Sequence, residues 1–434
     1  MSTTAPMHPS AQLMPIPDSR RWNANRRSRR APSPFLGGGA KVAAGRMRGG
    51  ATNADARNPS PQPSPLLRGR VRAPARVAVA LQRRASLAAA LHRGATLAFA
   101  VLLSLAANAL AQVNAPAPKP TADFVLVIHG GAGVVPKDDL TPEKEKASRA
   151  TLDAALLAGH SVLARGGKAL DAVIAAIKIL EDSPLFNAGK GSVLTAEGTV
   201  GMDASLMDGA TRKAGACADV KLVKNPIELA RLVMDKTPHV LLVGDGAETL
   251  AKEHGLMFMP AEYFITEHRK LQLQRIQQQE KERKAGEKKA QLNSVESIGT
   301  VGAVALDKHG NLAAGTSTGG MVNKRFGRVG DSPVIGAGTY AHNLTCAVSG
   351  TGHGEFFLRG VVAYDIAAKM EYQGVALTNA ATEVVMRKLV EAGGRGGVIA
   401  VDGKGNVAMP FNTEGMYRGV IRADGKPWTA IRKE

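Results

Sequence analysis

Chemistry can start in this sequence at a threonine that follows a glycine at the foot of an apolar run, Gly299-Thr300-Val301-Gly302-Ala303-Val304-Ala305-Leu306-Asp307. Inside a chain, Thr300 is a routine strand residue. If the bond after Gly299 were cut, Thr300 would carry both a hydroxyl nucleophile and a free α-amine. Such an amine has a pKa of about 7.7–8.0, close to neutral pH, where a general base works best. Threonine activated by its own amine is an established nucleophile–base pairing. Gly299 suits the position before the cut, because a residue without Cβ tolerates strained backbone and lets the hydroxyl reach its carbonyl. The Thr300 hydroxyl could therefore make the cut itself, by an N-to-O acyl shift followed by ester hydrolysis.

Two other patterns compete. His129-Gly130-Gly131 resembles an esterase oxyanion loop, and Gly315-Thr316-Ser317-Thr318-Gly319 matches GxSxG. That motif needs its serine to end a strand and open a helix. Here Gly319-Gly320 and more strand-like sequence follow, and Asp331 with His342 or His353 comes too soon behind. A phosphate-binding loop at His129-Gly130-Gly131-Ala132-Gly133 lacks GxGxxG spacing and a Walker lysine. Cys217 and Cys346, the two cysteines, form neither a disulfide framework nor a CxxC metal pattern.

The elements that must position Thr300 can be read outward from it. Upstream, Gln272 to Lys289 is almost wholly Gln, Glu, Lys and Arg, with Leu273, Ile276 and Ala285 apolar. Such composition predicts a solvated loop within a charged linker over 268–299. Further upstream, Phe124 to Ile128 reads as a buried strand ending in glycines that mark a tight turn or a close backbone approach. Helical spacing covers Ala147 to Leu163 and Leu170 to Leu180, with Gly166-Gly167 as a C-cap between them. A glycine-bearing loop, 184–191, then feeds strands at Ser192 to Leu194 and Val200 to Met207. After these come a helix from Pro226 to Met234, a strand at Val240 to Val243 and a helix from Ala247 to His254. Beyond Thr300, strands are expected at Val301–Leu306, Leu312–Thr318, Val334–Tyr340 and Cys346–Ser349. Helices follow at Glu355–Met370 and Leu377–Leu389, and strands return at Gly397–Val401 and Val407–Asn412. Sheets with helices on their outer faces, an α/β (α+β) class, are the expected result, with Thr300 at a strand edge inside.

The formal charge of +19 over 434 residues looks like that of a nucleic-acid binder. Its distribution argues otherwise. Residues 1–111 hold 17 Lys and Arg against Asp18 and Asp55, leaving 39 bases and 35 acids in the rest. No zinc-finger, helix-turn-helix or RNA-recognition spacing accompanies the basic segment, so no nucleic-acid partner is expected. Residues 1–76 are rich in Arg, Pro, Gly and Ser and are expected to be disordered. Within 77–111, Arg83-Arg84 and Arg93 precede the apolar run from Ala95 to Ala107 and the small-x-small site Ala109-Leu110-Ala111. This is the pattern of a secretory signal, too short to span a bilayer comfortably. A signal so far inside the chain implies a true start near Val77 or Val79. Residues 112–121 form a Pro-rich linker.

Around Thr300 lie, in order between about 122 and 420, His129–Gly133, Pro184–Gly189, Met202–Ser205 with Met207–Gly209, Gly299–Asp307, Thr316–Gly320, Gly327–Pro333, Thr351–Glu355 and Phe411–Met416. Together these stretches resemble the plant-type L-asparaginase and isoaspartyl peptidase (β-aspartyl-peptidase) family of N-terminal-nucleophile hydrolases. The resemblance implies a four-layer αββα sandwich, formed by an α chain (122–299) and a β chain (300–434) of one self-cutting precursor. It also implies a dimer of such αβ heterodimers and cleavage of L-asparagine and β-aspartyl peptides through an ester on Thr300.

The same resemblance implies residue roles. Thr318 would tune the Thr300 hydroxyl, and Thr351 with Gly352 would form the oxyanion hole. Arg328 would grip the substrate α-carboxylate and Asp331 its α-ammonium. Val329, Gly330, His353, Gly354 and Asn187 would complete the substrate pocket. Backbone carbonyls of Leu180, Glu181, Ser183, Phe186, Ala188 and Lys190 would hold a structural sodium ion, with no cofactor needed for catalysis. A periplasmic or secreted location follows from the signal. A glycosylasparaginase-type amidase and an uncleaved periplasmic binding protein are the alternatives.

Overall fold

The computed structural model describes residues 124–133, 140–284 and 299–432. The expected disordered segment, signal, linker at 112–121 and residues just before Gly299 lie outside that set. Strand β1 (Val125–Gly133) opens the fold. Its residues alternate between two buried faces: Leu126 and Ile128 enter one apolar core, Val125 and Val127 the other. A strand buried on both faces reads as a continuous apolar run, which is why this segment is legible in sequence. Burying each such side chain is worth roughly 1.5–3 kcal/mol.

Helices α1 (Pro142–Ala164) and α2 (Ala169–Glu181) cover the first face. Thr141 caps α1 by accepting from the Lys144 N–H at 3.3 Å, with Pro142 in the first turn. The helix stops because Gly166, at φ +80°, turns the chain left-handed. Gly166 N–H then donates to Leu163 and Gly167 N–H to Val162, both at 2.9 Å, the paired bonds that satisfy the last carbonyls. Next come β2 (Met202–Asp208), β3 (Ala214–Val220), α3 (Pro226–Lys236), β4 (Leu241–Val243), α4 (Gly244–Glu253) and α5 (Glu267–Lys284). Residues 192–194, expected as a strand, are instead loop leading into β2.

Helix α5 corrects the reading of the charged stretch as a solvated loop. Gln, Glu, Lys and Arg are good helix formers, and the few apolar residues suffice because hydrogen bonds add to them. Leu273 and Ile276 pack on the core. Buried Arg269 donates to Gly191 O at 2.8 Å and to Gln272 Oε1 at 2.9 Å, and Gln277 Nε2 donates to Ala196 O at 3.0 Å. The charged face outside is solvated as composition requires.

After Gly299 the chain makes β5 (Val301–Leu306), β6 (Leu312–Thr318), β7 (Thr339–Ala341) and β8 (Cys346–Gly352). The expected strand from Val334 shrinks to its last residues. Helices α6 (Gly354–Gly360) and α7 (Val362–Gln373) replace one expected helix, parted at Val361 by a left-handed φ of 45°. Helix α8 (Leu377–Thr382) runs through a π-helical turn, Glu383–Lys388, into α9 (Leu389–Glu391). Strands β9 (Gly396–Asp402), β10 (Val407–Ala408), β11 (Gly415–Arg422) and β12 (Trp428–Arg432) follow, the last two unforeseen. Strand β11 pairs antiparallel with β1.

Among the described residues the strands form two sheets, ordered β12-β11-β1-β5-β6-β2-β3-β4 and β10-β9-β8-β7. One core lies between the larger sheet and α1–α4, and the second joins that sheet to the smaller one and to α6–α9. The layers are helix, sheet, sheet, helix: the αββα sandwich expected from the resemblance. Cys217 and Cys346 are both buried and free.

Candidate active site

The β5–β6 hairpin brings two hydroxyls together. Asp307 shapes its turn, accepting from His309 N–H and Asn311 N–H at 2.9 Å each, and its other oxygen caps α2 by accepting from Ala169 N–H at 3.0 Å. With the turn set, Val301 pairs with Ser317, so Thr300 lies one step further, opposite Thr318. Facing residues of an antiparallel pair share a side of the sheet. The Thr300 Oγ1 donates to Thr318 Oγ1 at 3.2 Å. A slip of one residue would send the two hydroxyls to opposite faces. Thr318 Oγ1 also accepts from Gly320 N–H at 3.0 Å, which leaves its own proton free to turn toward Thr300.

The glycines at the end of β1 make the expected close approach, but within a strand that continues through a bulge between His129 and Gly131. Gly131 sits at φ +113°, and a Cβ there would lie 2.5 Å from Gly299 N. Only glycine lets β1 pack against the residue before the candidate cut. His129 Nδ1 meets the Thr300 carbonyl at 3.0 Å. Since a carbonyl can only accept, Nδ1 carries the proton. Burial pushes the imidazole pKa down to about 3, so the ring is neutral at any working pH.

Thr300 opens onto a cleft lined also by Ala132, Gly299, Thr318, Gly320, Met321, Arg328, Gly330, Asp331, Ser332, Gly352 and His353. Arg328 Nε donates to Glu355 Oε1 at 2.9 Å. Asp331 is buried, its Oδ2 has no hydrogen-bond partner, and burial raises its pKa to about 7. An unpaired buried carboxylate is costly, so it is a ready seat for a cation. Gly354 lies between the two charged groups: a Cβ there would come within 2.7 Å of Arg328 Nη2 and 2.9 Å of Asp331 Oδ1. His353 stacks on Phe356 with ring centroids 5.8 Å apart.

Thr351 on β8 is fully buried and meets the cleft wall through Ala132. Its Oγ1 accepts from Ala132 N–H at 3.1 Å, so its own O–H remains to donate. Gly352, at φ +147°, lines the cleft beside it. Three of the expected pocket residues are not part of the cleft wall. Val329 and Gly354 do not line it, and the Asn187 amide is committed to scaffold, donating to Gly320 O and accepting from Val193 N–H, both at 2.8 Å. Ser317, the esterase candidate, is fully buried and donates to Glu181 Oε1 at 2.6 Å, on the far side of the strand from Thr318.

The loop after α2 folds carbonyls around glycines. A Cβ on Gly189 would lie 2.3 Å from Glu181 O, and one on Gly191 would lie 2.0 Å from Phe186 O. Leu180, Glu181, Ser183, Phe186 and Ala188 are buried there. Among the described residues no cluster of His, Cys, Asp or Glu suits a metal ion. Sequence reading missed Glu355 as the partner of Arg328, Ala132 as the partner of Thr351, and Met321 and Ser332 in the cleft wall. Their neighbours in the quoted motifs were the available signal.

Comparison with known proteins assigns the family. A family described as asparaginase matches residues 122–431. An isoaspartyl peptidase of Salmonella typhimurium is 50% identical over 315 residues, 71% of this chain and 99% of that protein. An isoaspartyl peptidase of Escherichia coli is 49% identical, covering 71% and 96%. A probable isoaspartyl peptidase/L-asparaginase 2 of Arabidopsis thaliana is 42% identical over 325 residues, 71% and 98%. The chain belongs to the asparaginase family that its motifs resemble.

Proposed function

We propose that this chain is a threonine hydrolase of β-aspartyl peptides and L-asparagine that first cuts itself before Thr300. One observation carries the reading: the Thr300 hydroxyl, the backbone of Gly299, the Arg328 guanidinium and the unpaired Asp331 carboxylate share one cleft. In the precursor, Thr300 Oγ attacks the Gly299 carbonyl, the acyl group moves from nitrogen to oxygen, and water hydrolyses the ester. Thr300 then has a free amine. In the mature enzyme Arg328 takes the substrate α-carboxylate, a pairing its planar fork suits, and Asp331 takes the α-ammonium. These contacts place the side-chain carbonyl against Thr300 Oγ. The amine accepts the hydroxyl proton, and the Thr318 O–H turns to the developing alkoxide. Thr351 O–H and Gly352 N–H stabilise the oxyanion, and one such donor is worth about 2.7–4 kcal/mol. The amine returns its proton to the leaving group, and hydrolysis of the β-aspartyl ester releases L-aspartate.

The carbonyl-lined loop at 180–191 fits a sodium ion as a structural element, since hard oxygen donors suit a hard cation. A side chain at Gly189 or Gly191 would run into the Glu181 and Phe186 carbonyls, and no catalytic step runs through the loop. Export to the periplasm or medium follows from the apolar run ahead of Ala109-Leu110-Ala111, and assembly as a dimer of αβ pairs follows from the family. Among the described residues no helix is long and apolar enough to cross a membrane. The decisive experiment is a denaturing gel with N-terminal sequencing, then assays on asparagine and a β-aspartyl dipeptide. Two bands are expected, the smaller beginning at Thr300, with both activities lost in Thr300→Ala. A single intact chain that hydrolyses either substrate refutes the reading.

A further inference from the structure

Behind the cleft, six buried groups from six strands or strand ends make one continuous hydrogen-bonded line. His129 Nδ1 meets Thr300 O at 3.0 Å, and His129 Nε2 meets Ser349 Oγ at 2.9 Å. Ser349 Oγ is 2.7 Å from Thr316 Oγ1, Thr339 Oγ1 donates to Thr316 Oγ1 at 2.5 Å, and Ser205 Oγ reaches Thr339 Oγ1 at 2.8 Å. Ser205 Oγ also reaches Ser332 O at 2.6 Å, the carbonyl next to Asp331. His129, Ser205, Thr316, Thr339 and Ser349 are all at 0% exposure. Strands β1, β2, β5 and β6 belong to the larger sheet, β7 and β8 to the smaller, so the line stitches the two sheets together under the site.

Proton counting gives the line a direction. Thr300 O has no proton, so His129 Nδ1 donates. A neutral imidazole must then accept at Nε2, so Ser349 donates to it. The Ser349 oxygen is left to accept from Thr316, Thr316 accepts from Thr339, and Thr339 accepts from Ser205. Thr316 and Ser205 have one proton each and a second acceptor, Gly338 O at 3.2 Å and Ser332 O at 2.6 Å. The order is therefore forced only from Ser349 through His129 to Thr300 O. Beyond Ser349 it follows the shorter contacts, with Ser205 dividing its proton between Thr339 and Ser332 O. Hydrogen bonds aligned head to tail polarise one another in a low-dielectric interior. The last N–H therefore holds the Thr300 carbonyl firmly and sets the rotation of the residue that presents both Oγ and the future amine.

We propose that His129, Ser349, Thr316, Thr339 and Ser205 form a directed relay that positions the Thr300 nucleophile against the substrate clamp, with Thr339 as its central link. This rests on the reading of Thr300 as nucleophile. None of the five touches substrate; each acts through the next. The relay fixes where Thr300 points relative to Asp331, so breaking it misorients the nucleophile with little loss of ground-state binding.

The test uses the full chain with Thr339→Val, which keeps shape and removes the hydroxyl, Thr339→Ser, which restores it, Ser349→Ala, and the double variant Thr339→Val/Ser349→Ala. Wild type is assayed first on a β-aspartyl dipeptide; an inactive, uncut wild type overturns the functional reading itself. With active wild type, Thr339→Val is expected to lose at least tenfold in kcat with KM within threefold, and Thr339→Ser to recover to within twofold of wild type. Because one break already interrupts the line, the double variant should fall no more than twofold below the worse single one. Losses that multiply, a serine variant as impaired as the valine, or unchanged kcat in Thr339→Val each overturn the relay. If the valine variant is insoluble, the Ser349→Ala and Thr339→Ser pair decides: a tenfold kcat loss in the first and none in the second supports it, and equal rates overturn it.

Discussion

Replacing Asp331 by asparagine should make the protein more stable and less able to bind substrate, and the pH dependence of the gain identifies its cause. Burial raises the Asp331 pKa from 3.8 to about 7 in the substrate-free protein. The folded state therefore holds a proton that the unfolded state has released. For a raised pKa the associated stability is fully present below 3.8 and is lost as pH climbs to about 7. Between pH 5 and pH 8 this one carboxyl should remove about 3 kcal/mol from the native state, at about 1.36 kcal/mol per unit of pKa displacement. An asparagine does not ionise. The melting temperature of Asp331→Asn relative to wild type should thus widen in the variant's favour by roughly 5 °C between pH 5 and pH 8, taking about 2 °C per kcal/mol for a domain of this size. Comparing the two pH values cancels whatever the amide does to local packing. Scanning fluorimetry at fixed ionic strength measures it. Added L-aspartate should raise the wild-type melting temperature at pH 8 by pairing its ammonium with Asp331, and should do little for the variant. A melting difference that stays constant within about 1 °C across that range would refute the argument that Asp331 is a buried charge awaiting a cation.

Three further outcomes are expected. Thr351→Val removes the O–H proposed to stabilise the oxyanion and should lower kcat by roughly 10²–10³, with Thr351→Ser restoring most of it in steady-state assays. Gly131→Ala would put a Cβ 2.5 Å from Gly299 N at a φ of +113°, so the precursor should stay uncut on a denaturing gel; normal processing would show that β1 yields there. Ser317→Ala leaves Glu181 Oε1 without its 2.6 Å donor and should cost about 1 kcal/mol of stability in urea titration while hydrolysis stays within threefold. Labelling of wild type by a fluorophosphonate at Ser317 would revive the esterase reading.

The two strands, Val301–Leu306 and Leu312–Thr318, were legible from their apolar runs, whereas Thr318 itself was carried by motif likeness and its place opposite Thr300 came from the hairpin register of the fold. The Arg328-Asp331 and Thr351-Gly352 pairs were carried by motif likeness; the fold puts Arg328, Asp331 and Gly352 in one cleft wall and leaves Thr351 buried beside it. Asn187 was expected in the pocket, and its amide braces the Gly319-Gly320 turn; an amide beside such a loop looks the same in sequence whichever it does. Helix α5 was misread because composition reports charge, whereas its stability comes from Arg269 and Gln277 bonding to carbonyls 78 and 81 residues away.

By itself the sequence determined the chemistry on offer: a glycine–threonine junction, apolar strands with buried faces, and charged residues in family order. Tertiary structure alone decided which hydroxyls meet. His129 and Ser349 are 220 positions apart and belong to different sheets, so no periodicity could pair them. A buried hydroxyl must find a partner wherever packing brings one, and that choice is made only when the two sheets close on each other.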